Sequence, residues 1–133
     1  MKANTEYLYS FATASLTLRV IEHLGYKFQS KLNSVAVINL IDCWIVKIDL
    51  KATISVDLSK DLQAFLSEMG VRYEPSAQII TALKELEAGE SPTKIMNRHK
   101  IVIVAHGKPE KEEIEIFRDS IVDRLGYCPQ TMA

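Results

Sequence analysis

The residues of this chain best placed to do chemistry are His106, Gly107 and Lys108, which follow the apolar run Ile101 to Ala105 and precede Pro109. A loop leaving the carboxyl end of a buried strand is a common seat for active-site groups. There His106 could transfer a proton near neutral pH. Gly107 would let a ligand approach the backbone, Lys108 could hold a negative group, and the start of the next helix would offer free N–H groups to an anion. A second locus, Lys94, Arg98, His99 and Lys100, gathers four basic or titratable groups within seven residues and could bind phosphate. The ligand expected at either place is a small anion.

Several features set bounds on these sites. The loop at 106 to 109 has neither the glycine spacing of a P-loop nor that of a dinucleotide fingerprint, and Glu110, Glu112, Glu113 and Glu115 follow it. The basic cluster has no interleaved aromatics, and 16 Lys and Arg against 17 Asp and Glu leave a formal charge of -1. Nucleic acid is therefore not an expected partner. His23 sits beside Glu22 near an expected helix end, where a charged imidazole is stabilised. Asp42 is the one polar residue in an otherwise apolar even-numbered series, so it must be paired, bound to a ligand or located at a turn. Cys43 lies in an apolar run and reads as a buried thiol, while Cys128 beside Pro129 reads as exposed. The two cysteines match no ligand spacing, so no metal site, cofactor or disulfide framework is expected. A hydrophobic strand ending in His106-Gly107 before an acidic helix resembles the start of the small tetrapyrrole metal chelatases. Here it falls near the C-terminus and no second histidine region follows, so their function is not carried over.

The elements that must position these groups are marked by periodicity and capping. Asn4 or Thr5 is expected to cap a first helix with apolar positions from Tyr7 to Leu24, closed by Gly25. Ser34 to Leu58 reads as strand. Its even positions are apolar except Asp42, and its odd positions from Lys47 onward are polar. Breaks are expected near Asn39 to Asp42 and near Lys51 to Thr53. The stretch 35 to 46, apolar on both sides, reads as a central strand, with a buried helix as the alternative. Ser59 is expected to cap a helix that ends at Gly70, and Pro75 to open one that ends at Gly89. Ser91-Pro92 starts one or two further turns. Residues 101 to 105, with no polar face, suit the centre of a sheet covered on both sides. His106-Gly107 turns the chain into a last helix from Pro109 to Gly126.

These expectations add up to one α+β domain over residues 1 to 133, with 128 to 133 as a flexible tail. Its architecture would be two layers, a small mixed sheet of three or four strands packed by amphipathic helices, with a small three-layer α/β domain as the alternative. No secretory leader is expected, because Lys2 is followed by Asn4, Thr5 and Glu6. No membrane span is expected either, since Val35 to Leu50 is broken by Asn39, Asp42, Lys47 and Asp49. A cytoplasmic location follows by elimination. The surplus of two-sided apolar strand predicts a non-catalytic interaction or regulatory module, a homo-oligomer or the binder of a protein partner. The alternative is a small enzyme or anion-binding domain built on His106, Lys108, Arg98 and His99.

Overall fold

A computed structural model describes residues 3 to 133; Met1 and Lys2, where the reading on a leader begins, lie outside the described residues. The chain does not open with a helix. Glu6–Phe11 is a strand, β1, because Tyr7, Tyr9 and Phe11 repeat every second residue and all three side chains are buried. Thr13 is the true cap of the first helix, α1 (Ala14–Lys27), its hydroxyl accepting from the Leu16 N–H at 3.2 Å. Asn4 instead accepts from the Glu6 N–H at 3.3 Å. Gly25, expected to close the helix, lies inside it, and the last turn ends when the Phe28 N–H bonds the Leu24 carbonyl at 2.9 Å.

A short 3-10 turn, Gln29–Lys31, leads into β2 (Leu32–Asn39), which turns back at Leu40 to Cys43 into β3 (Trp44–Leu50). The break expected near Asn39 to Asp42 is where the hairpin turns. The alternation expected to run as strand to Leu58 stops at Leu50. Ser55, not Ser59, caps α2 (Val56–Met69), accepting from the Leu58 N–H at 3.1 Å. Ser59 is buried within that helix, where its hydroxyl donates to the Asn4 carbonyl at 2.8 Å and the Tyr7 hydroxyl donates to its carbonyl at 2.9 Å.

Then follow β4 (Val71–Arg72), α3 (Ala77–Glu87), α4 (Pro92–His99), β5 (Val102–Gly107) and α5 (Lys111–Leu125). Ser76 caps α3 and Pro92 opens α4. Glu110 is the cap of α5, so the helix begins two residues after Pro109, where it was expected, and the Glu113 carboxylate accepts from the Glu110 N–H at 2.9 Å.

The sheet has five strands in the order β4-β1-β3-β2-β5, every pairing antiparallel. This corrects the expected mixed sheet of three or four strands. The two-layer expectation also gives way. On one face Tyr7, Tyr9, Phe11, Val37, Trp44 and Val46 pack under α1, α2 and α5. On the other, Ala36, Ile38 and Ile45 pack under α3 and α4. The domain is α+β, a five-stranded antiparallel sheet between two groups of helices. It is not the α/β alternative, because no pair of strands is parallel.

Residues 101 to 105 misled in an instructive way. β5 is an edge strand, hydrogen-bonded among the described residues only to β2. Its apolar character on both faces answers to helices above and below: Val104 and Ala105 pack with the α5 side, Ile103 with α3 and α4. A two-sided apolar run reports cover over the sheet faces and says nothing about how many strands lie beside it. His106 and Gly107, expected to turn the chain outward, are the last two residues of β5. Residues 128 to 133, expected to be a flexible tail, fold back on the domain: Met132 is buried and the Trp44 indole N–H donates to the Thr131 carbonyl at 2.7 Å. No helix of the described residues is long and apolar enough to cross a membrane.

Candidate functional site

Strand register decides which polar groups meet. Glu6 of β1 lies opposite Asp49 of β3, which lies opposite Ser34 of β2. One step along, Leu8, Lys47, Ala36 and His106 form a row across β1, β3, β2 and β5. Because side chains alternate between faces, these residues share the face that carries Ile38 and Ile45. Helices α3 and α4 cover the apolar part of that face. Its remaining half is polar, and α3 reaches it only with its last residue, Glu87.

Three carboxylates meet there. Ligand oxygens of Glu6, Asp49 and Glu87 all lie within 4.8 Å of one another. The Lys47 ammonium lies among them, hydrogen-bonded to Glu87 and 3.7 Å from Asp49, and the Ser34 hydroxyl donates to Asp49 at 3.2 Å. Two clefts flank the group and share Glu6 as a wall. One, of about 380 Å³, is lined by Ser34, Asp49 and Glu87; the other, of about 400 Å³, is lined by Lys47, Arg72 and Tyr73. The cluster is half-open to solvent, with Asp49 partly buried and Glu6 and Glu87 exposed. Three negative charges against one positive charge suit a cation.

The residues expected from sequence fall in several places. His106 is exposed on the same face as this cluster, two strand spacings or about 10 Å from Lys47. Gly107 has φ +96°, the left-handed region that glycine reaches freely. Lys108 turns away to line a different cleft, against α1, and Lys100 lines a third, near the β2–β3 turn. Arg98 and His99 are engaged in holding α4 to α3. The Arg98 guanidinium donates to Glu85 at 2.5 Å and to Glu90 at 3.2 Å, and His99 Nε2 is 2.8 Å from Glu85. The hydrogen bond from His99, followed by the charge of Arg98, holds the Glu85 carboxyl below its usual range against the opposing effect of its desolvation. Lys94 is exposed on α4. Two of the four groups of the basic cluster, Arg98 and His99, are thus paired with carboxylates of the fold.

Of the remaining titratable groups, Asp42 is exposed in the β2–β3 turn. Cys43 beside it is half-buried, and burial followed by the nearby Asp42 carboxylate pushes its thiol pKa up, which makes it a poor nucleophile. Cys128 is exposed. Glu6, Lys47, Asp49 and Glu87 were not legible as a group. Lys47 and Asp49 stand in the polar odd-numbered series of a strand, which signals a wet face, but nothing in the sequence says that Glu6 and Glu87 join them.

Comparison with known proteins finds no matching family model, no similar curated protein and no similar solved structure. What the molecule can do therefore rests on its own geometry.

Proposed function

We propose that this is a ligand-binding domain whose site is the open polar half of the sheet face, and that its ligand there is a hard divalent cation. The observation that carries the reading is the convergence of Glu6, Asp49 and Glu87, from β1, β3 and the end of α3, with oxygens within 4.8 Å of one another. One ion at about 2.3–2.6 Å from each oxygen spans that separation, as calcium does. Two of the three ligands stand on neighbouring strands and the third at a helix end, so the site is held by rigid elements. This is closer to the site-bearing alternative drawn from the sequence than to a purely structural module, and it moves the site from the β5–α5 corner to the strands beside His106.

Calorimetric titration with calcium, magnesium and manganese chlorides tests it. Saturable binding by the wild type, lost in the Asp49→Asn, Glu87→Gln double variant, is the expected result. Equal heats from both proteins, or none from the wild type, would rule the site out.

Self-association is supported separately by the outer edge of β5, which pairs with no other strand among the described residues and leaves Val102 43% exposed. An edge of this kind is a template for another strand. Sedimentation showing a single monomeric species at micromolar concentration would exclude it.

A further inference from the structure

A cleft of about 370 Å³ lies on the opposite side of the sheet from the polar face, between the end of α1 and the β5–α5 corner. Its floor is apolar, formed by Ile21, Leu24, Leu32 and Val35. Its rim is charged, and the charges are not equivalent. Lys111 and Glu22 face each other across it at 3.9 Å. Lys108 and Glu112 also line the cleft, and neither forms an ion pair or side-chain hydrogen bond among the described residues. Glu110, the cap of α5, also lines the cleft, so the rim presents the uncommitted cation Lys108 with the carboxylates of Glu110 and Glu112 above an apolar floor.

The helix termini give these charges a direction. Gly25, two residues before the end of α1, lines the cleft, and the carbonyls of a last helical turn have no partner within the helix and carry partial negative charge. Lys111 and Glu112, the first residues of α5, line the same cleft at the end of a helix with the opposite polarity.

Gly25 is itself a second observation. Glycine inside a helix costs about 0.8–1 kcal/mol relative to alanine, and neither the backbone nor the packing calls for it. Its φ is not positive, and a Cβ built there would meet nothing within 4 Å. The space a side chain would take is space in the cleft.

We propose that this cleft binds a free amino acid with an apolar side chain. The carboxylate is met by Lys108, the ammonium by Glu112 and the negative end of α1, and the side chain lies on Ile21, Leu24, Leu32 and Val35. The volume is at the small end of the range for ligand pockets, about 300–1,000 Å³, which suits a ligand of this size. The proposal is independent of the cation site, which lies on the other face of the sheet.

Calorimetry with L-leucine, isocaproate and isoamylamine separates the contributions, because the second compound lacks the amine and the third lacks the carboxylate. Leucine is expected to bind at least about tenfold more tightly than either half-ligand. Lys108→Met should weaken leucine by about tenfold and leave isoamylamine unchanged. Gly25→Leu should abolish leucine binding with the circular dichroism spectrum intact. Should that variant fail to fold, the Lys108→Met comparison still decides. The proposal is overturned if leucine gives no saturable heat, if isocaproate binds as tightly as leucine, or if folded Gly25→Leu protein binds leucine like the wild type.

Discussion

His23 of α1 stacks face to face on Phe65 of α2, with ring centroids 3.9 Å apart and planes 11° from parallel, and the Phe28 ring lies 5.8 Å away. The imidazole is the hinge of a small aromatic contact between two helices that cover the same face of the sheet. Burial, and then the charge of Lys27, lowers its pKa below the ordinary 6.5.

That shift fixes a pH dependence. The folded state binds the His23 proton less readily than the unfolded chain does, so stability rises with pH wherever the unfolded chain holds more protons. The contribution is full above pH 6.5 and is lost progressively as pH falls below it. Thermal melts between pH 8 and pH 5 are expected to show a decline that His23→Phe flattens. A wild type and variant with parallel profiles would show that His23 does not set the slope.

Two glycines should respond to alanine with opposite signs. A Cβ at Gly70 would overlap the Ser10 carbonyl oxygen and the Phe11 ring, and the Ser10 backbone is fixed by the pairing of β1 with β4. Gly70→Ala should therefore cost about 1–3 kcal/mol, the usual penalty of overpacking. Gly25→Ala meets open space in a helix and should gain about 0.4–1 kcal/mol. Urea unfolding of the two variants measures both. A destabilised Gly25→Ala would mean that the helix needs the glycine for a reason other than the cleft.

Removal of residues 128 to 133 should be felt at the core. The lost segment includes Thr131, which accepts from the Trp44 indole at 2.7 Å, and Ala133, whose carbonyl oxygen accepts from the Ser15 N–H and hydroxyl. Leaving the buried indole N–H unpaired costs about 1–3 kcal/mol, before the loss of buried Met132 is counted. Trp44 is the only tryptophan, so its emission reports the change directly. A lower urea midpoint with red-shifted emission is expected; unchanged emission would show the segment to be undocked in solution.

How much of this was legible in the sequence depends on which interactions were local. The start at Ser91-Pro92 and the hairpin turn after Asn39 are set by neighbouring residues, and they were readable; Pro75 pointed to the start of α3 but lies just before Ser76, its cap. The opening segment was not, because Tyr7 and Phe11 fit a helical stripe as well as Tyr7, Tyr9 and Phe11 fit a strand, and only pairing with β3 decides between them. The same pairing hid the site. Glu6 and Asp49 are 43 positions apart and meet through register, while Glu87 arrives from a helix on the far side of β4 in the chain. His106 drew attention through its local setting, at the end of an apolar run, but its neighbours on the sheet face come from strands that the sequence does not rank in order.

Lys47 gives the sharpest test of the cation site. Its ammonium already occupies the ground between Asp49 and Glu87, so an incoming divalent ion must displace it. Lys47→Met keeps much of the aliphatic stem and removes the charge, leaving three carboxylates with oxygens within 4.8 Å. Two like charges about 4 Å apart repel by about 1 kcal/mol in water and about 4 kcal/mol near a protein surface. The variant is therefore expected to melt below the wild type in chelator-treated buffer, and to recover when calcium is added. Its calcium affinity should exceed that of the wild type by at least about tenfold, because no internal cation competes. Equal affinities would mean that Lys47 and the ion do not share a place, and that the three carboxylates serve only to anchor the end of α3 to the sheet.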